Sequence, residues 1–260
     1  MAAVVAGCLA GVLTWPAMLA LAILAGLCRL SARHAGRPMG WAWTGAAGAM
    51  SLAMAVHALP GFHNLLLLDA VHTRADALPF SLYANFDKAS VGLFLLVWLA
   101  PRLASLGELR AALKPIVLGA CGTVLVVVGL ACGLDMVRFE PVWLGYTPTF
   151  LTVNLLFTCV AEEAFFRGLI QERLSRALRH HPGLIGAVPV LLSAMLFGLA
   201  HWGGGPAYVA MAALAGFGYA LVYAKVRRVE ASMAVHFAVN AAHFIGFTYP
   251  AMASSPLRLH

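Results

Sequence analysis

Apolar residues run along the chain in blocks of about 20, separated by short polar clusters, and about 20 residues is what a helix needs to cross a bilayer core of about 30 Å. Eight such blocks fall near 3–28, 39–59, 89–101, 115–134, 148–170, 184–202, 206–224 and 231–249. The pattern predicts an all-α, polytopic membrane bundle with about eight transmembrane helices. The third block is short, and its start extends back toward the loop from Pro60 to Lys88. That loop carries Asp69, Arg74, Asp76 and Asp87, is long for a helical bundle, and is expected to fold over the outer face. Pro16 and Pro189 lie inside the first and sixth blocks, where proline predicts kinks.

Composition adds the solvent. Of 260 residues, 62% are hydrophobic and only 10% are charged, against roughly 25% charged in a soluble domain. A surface this poor in charge needs lipid around it. The blocks recur without a polar linker, so 1–260 reads as a single membrane domain, with motif-free helices over 1–147 and a functional core over 148–249. The apolar stretch from Ala2 to Leu27 lacks a basic region before it and reads as a membrane anchor rather than a cleaved signal.

The net charge of +7 does not point to nucleic acid, because the basic residues sit between the apolar blocks. Thirteen of the 17 Lys and Arg fall in one alternating set of loops, with Arg167 counted there, and Arg74, Lys88, Arg138 and Arg258 in the other. Cytoplasmic loops carry the excess of Lys and Arg, so both termini are expected outside the cytoplasm. A bacterial inner membrane suits the Ala-, Leu- and Gly-rich composition. The five cysteines are scattered in apolar runs without C-x-x-C spacing, and suggest neither a disulfide framework nor a thiolate metal site.

Against this background some polar residues stand out, since an ionisable side chain in a membrane helix marks a functional position by default. The fifth block contains Glu162, Glu163 and Arg167. Glu163 and Arg167, four apart, share a helical face and can pair. Glu162 points about 100° away, above Thr158 and Asn154, with no cation within one turn. The sixth block ends with Phe197 and His201, and the eighth carries His236, Asn240 and His243. A turn near His181 and Pro182 would leave Glu162 and His201 at similar depth on two antiparallel helices. For His236 to join them, that hairpin must project beyond the membrane, with Trp202 to Pro206 as non-helical chain at depth. Such chain is tolerated only under protein or beside a water-filled cavity.

The strings EExxxR (Glu162, Glu163, Arg167), FxxxH (Phe197, His201) and HxxxN (His236, Asn240), in this order on separate blocks, resemble the CAAX prenyl protease type II and bacteriocin-processing family (CPBP or Abi). The segment AGFGYA around Phe217 and Gly218 is similar to its weaker motif. The resemblance covers roughly residues 148–245. It implies a glutamic intramembrane endopeptidase that needs no cofactor or metal and acts on a membrane-associated protein or peptide. Carried onto this chain, Glu162 would be the general base, His201 would hold the water, and His236 and Asn240 would stabilise the oxyanion, supported by Glu163, Arg167 and Phe197. Family members act on prenylated C-termini, leader peptides or sorting tails; composition favours a secreted or anchored peptide here.

Two other readings compete. A zinc metalloprotease could use His201, His236 and Glu162 as three ligands with an open fourth position, although no H-E-x-x-H string occurs. A transporter, proton relay or immunity protein could use the same scaffold without catalysis, although no paired repeat of the kind common in transporters is visible.

Overall fold

A computed structural model describes residues 2–256; Arg258, counted above among the sparse basic residues, lies outside the described residues. The chain is mostly helical. Its principal helices are α1 (Ala2–Leu9), α2 (Trp15–Arg33), α3 (Pro38–Ala55), α4 (Phe86–Trp98), α5 (Leu106–Gly133), α6 (Thr147–Ala177), α7 (Val188–Leu199), α8 (Gly205–Val226) and α9 (Val229–Gly246). Four helical stretches, 15–33, 106–133, 147–177 and 202–226, are long and apolar enough to cross a membrane. The others are shorter or less apolar, so the expected count of about eight spans is not reached by length and composition. On α5, Leu113, Val117, Leu118, Leu125 and Val126 are all exposed, an apolar face suited to acyl chains rather than water.

Both expected proline kinks are corrected. The first block is not one helix: α1 stops at Leu9, the chain turns, and α2 starts with Pro16 in its first turn. Pro189 likewise sits in the first turn of α7, after a separate helical turn over Pro182–Ile185. At a helix start proline removes no intrahelical hydrogen bond and its fixed φ suits the helix, so each proline sets a boundary.

The helical expectation holds for most of the chain, and the 60–88 loop adds a two-stranded antiparallel sheet. Strand β1 (Leu65–Val71) pairs with β2 (Phe80–Ala84), with register breaks after Leu66 and Leu68. Just before β1, the Asn64 side chain accepts a hydrogen bond from Phe86 N at 2.8 Å and donates to Asp87 Oδ1 at 3.1 Å. His57 Nδ1 lies 2.6 Å from the other Asp87 oxygen. The foot of the hairpin therefore fixes the start of α4.

Between the strands, the buried Arg74 donates to the carbonyls of Glu140, Phe244 and Ile245 at 2.7–3.1 Å. Two of these are orphan carbonyls at the C-terminal end of α9, where a cation also suits the helix dipole. Burial pulls the Arg74 pKa down, and the nearby Glu140 carboxylate pulls it up. Phe80 joins Tyr146, Phe150, Phe244 and Tyr249 in a ring cluster, in which Phe150 stacks on Phe244 at 3.7 Å.

Candidate functional site

The 31 residues of α6 extend for about 46 Å at helical rise, longer than a bilayer core is thick. The turn that follows lies at Leu178–His181, and α7 returns antiparallel. Within α6 the backbone is not uniformly α. Two π-helical segments, Asn154–Cys159 and Ala164–Gln171, flank the four residues Val160–Glu163. Such bulges are rare and frequent at functional sites. Here the wider turn brings residues five apart together: Cys159 Sγ donates to Asn154 Oδ1 at 3.3 Å.

Glu163 and Arg167 pair at 3.0 Å, as their spacing predicts, and both are fully buried. The pair is embedded further. His236 Nδ1 reaches the same Glu163 oxygen at 2.9 Å, and Arg167 donates to the Gly216 carbonyl at 2.7 Å. A Cβ at Gly216 would lie 2.9 Å from the Phe197 ring and 3.2 Å from the Arg167 guanidinium, so this close approach depends on glycine. The guanidinium also sits 4.7 Å from the centre of the Phe197 ring, a cation–π distance. Phe197 in turn touches both imidazoles, with centroids 4.8 Å from His201 and 5.5 Å from His236. Tyr219 stacks on His236 at 4.6 Å.

Glu162 has a different environment. Its Oε1 accepts from Lys88 Nζ, on α4, at 2.9 Å. Its Oε2 is buried, with no hydrogen-bond partner among the described residues. The lack of a cation on its own helix is thus corrected by one from a different helix. Glu162, His201, His236 and Asn240 all line one cavity of about 240 Å³ together with Asn154 and Thr158. Leu82 of the hairpin, Tyr249 and Ala251 line it as well. A second cavity of about 200 Å³ has Glu162, His201 and Lys88 in its wall beside Leu52, Val56 and Phe165. Glu162 and His201 therefore border both.

His201 and Asn240 each have a hydrogen-bond partner within the site. His201 Nδ1 is 2.8 Å from the Phe197 carbonyl, which can only accept, so Nδ1 carries a proton. Asn240 Nδ2 donates to Asn154 Oδ1 at 3.3 Å. After His201 the chain makes one 3₁₀ turn, Trp202–Gly204, and α8 starts at Gly205, so the non-helical chain expected over Trp202 to Pro206 is corrected to a single turn leading directly into a helix. No three His, Cys, Asp or Glu side chains among the described residues form a group able to hold a metal ion. The zinc reading therefore has no assembled ligand set.

The motif residues thus meet at one cavity from three helices. Residues 144–242 match the model of the type II CAAX prenyl endopeptidase Rce1-like family. Over that segment the chain is similar to the CPBP family of CAAX proteases. No curated protein and no solved structure matches the chain. The matched segment contains every motif residue named from the sequence, and together with the four long apolar helices it supports an integral membrane protein. Sequence reasoning missed Lys88 and Tyr219 as neighbours of the site and passed over Asn154 as a partner of Asn240. Lys88 was counted only as a loop charge; its 74-residue separation from Glu162 leaves no periodic signal to find.

Proposed function

We propose that this chain is a glutamic intramembrane endopeptidase of the CPBP family, with Glu162 as the general base. The observation that carries the reading is the shared cavity, lined by Glu162, two imidazoles and an amide, with one Glu162 oxygen left without a hydrogen-bond partner among the described residues. Amide hydrolysis needs a base for water and donors for the carbonyl oxygen as it becomes negative. Hydrogen bonding separates the two histidines into these tasks. His201 donates from Nδ1 to the Phe197 carbonyl, which leaves Nε2 to hold a water beside Glu162.

His236 works in the opposite sense. Its Nδ1 faces the Glu163 oxygen that also accepts from Arg167. For Nε2 to donate to an oxyanion as well, the ring must carry both protons. A buried anion holding an imidazolium supplies this, and gives Glu163 and Arg167 a supporting role. Asn240 is the second oxyanion donor, oriented by Asn154.

The substrate is a membrane-associated protein or peptide whose scissile bond reaches this depth, and the composition favours a secreted or anchored peptide. The shorter helices α3, α4, α7 and α9 complete an eight-span bundle with both termini outside the cytoplasm of a bacterial inner membrane. The test is to compare protein termini in membranes containing the wild-type chain or Glu162→Gln. New termini that appear only with the wild type, and cleavage of matching anchored fluorogenic peptides by purified protein in vesicles, support the reading. Identical sets of termini contradict it.

A further inference from the structure

The Lys88–Glu162 contact lies outside the segment matched by the family, since Lys88 is on α4, and none of the sequence motifs accounts for it. Three independent features hold it. First, α4 approaches α6 closely one turn beyond Lys88: a Cβ on Gly92 would fall 2.8 Å from Ala161 Cα and 2.9 Å from Ala161 N. Those are backbone atoms that cannot swing aside, so any side chain at this position forces the two helices apart. Second, the start of α4 is fixed by Asn64, which accepts from Phe86 N and donates to Asp87, and by His57 against Asp87. The carboxylate of Asp87 is 1% exposed. Third, the ammonium is itself partly enclosed, with 24% of the Lys88 side chain and 13% of the Glu162 side chain exposed.

A carboxylate in apolar surroundings is costly unless it is paired and hydrogen-bonded. The ammonium meets this need at Oε1 alone and leaves Oε2 unpartnered. We infer that Lys88 is a positioning residue for the proposed base: it holds Oε1 of Glu162 so that Oε2 meets the attacking water, with Gly92 setting the distance between their helices. The inference rests on the reading of Glu162 as the base, and adds an ion pair from the N-terminal helices that orients it. Lys88 itself touches no reacting atom.

The experiment measures cleavage of the best-cleaved anchored fluorogenic peptide in phosphatidylcholine–phosphatidylglycerol vesicles. Lys88→Met keeps the aliphatic stem and removes the charge. Misplacing a catalytic group costs about 10- to 100-fold, so kcat is expected to fall by that amount while KM stays within about twofold. Gly92→Val, which separates the helices without touching either charge, is expected to reproduce the loss. A purely structural role for Lys88 would lower the melting temperature and the yield of folded protein, leaving kcat per folded molecule unchanged.

Should Lys88→Met fold poorly, Lys88→Cys assayed before and after alkylation with 2-bromoethylamine restores the ammonium on one preparation, beside wild type treated in parallel. A rise in kcat after alkylation supports the inference, and no rise overturns it. Wild-type or faster turnover in folded Lys88→Met also overturns it, as does a loss confined to KM. Glu162→Gln in the same vesicles separates the two levels. If it is inactive while Lys88→Met is unimpaired, only the role of Lys88 fails; if it is fully active, the assignment of the base fails with it.

Discussion

Glu162 and Glu163 are adjacent in sequence and share a short α-helical stretch between two π segments, yet their surroundings differ in kind. Glu163 is fully buried, and one of its oxygens takes both Arg167 from its own helix and His236 from α9. Glu162 borders two cavities and its cation comes from α4; each carboxylate leaves one oxygen without a hydrogen-bond partner among the described residues, but only Glu162 lines the cavities. A helix turns about 100° per residue, enough to place one carboxylate in packed protein and the next in an enclosed space. That contrast fits Glu163 as a supporting residue held inside packed protein and Glu162 as the proposed base at the cavity wall.

Substitutions should break this contrast in graded steps. Glu163→Gln leaves Arg167 as a buried cation without its anion, a change that costs about 3–5 kcal/mol. Thermal unfolding in detergent is expected to show a large drop in stability, whereas Glu162→Gln, which strands the more exposed Lys88, should lose clearly less. His236→Ala removes a proposed oxyanion donor while the Glu163–Arg167 pair remains. Turnover of folded protein should fall about 10²–10³-fold, the usual cost of one such donor.

Asn154→Ala leaves Asn240 in place without its orienting acceptor, and a smaller loss of about tenfold is expected from misorientation. Preincubation with a strong chelator is the mildest case. It should leave the rate unchanged, and a chelator-sensitive rate restored by zinc would transfer Glu162 from base to ligand.

The site was more legible than the fold around it. Glu162, Glu163, Arg167, Phe197, His201, His236 and Asn240 stand out because charge and imidazole are rare in apolar blocks, and helical spacing alone links Glu163 to Arg167. Spacing cannot reveal contacts between segments distant in sequence, and here those include Lys88 on Glu162 and Asn154 on Asn240. The π segments are equally invisible, because an apolar run satisfies either helical period. The hairpin escaped notice for a related reason. Its strand Leu65–Val71 begins with four leucines rather than alternating apolar and polar residues, so period-two patterning gave no signal. Pro16 and Pro189 suggest kinks in the sequence because the length of an apolar block does not reveal where a helix begins.

The most direct test of the account is the turnover of reconstituted Glu162→Gln, a change of one oxygen to an amide nitrogen at nearly constant shape. An amide cannot accept the proton of an attacking water. Removal of a general base is worth about 10²–10⁴ in rate, and a loss of at least that size is expected in protein that remains folded and embedded. Cleavage at the wild-type rate would show that the carboxylate takes no part in the reaction.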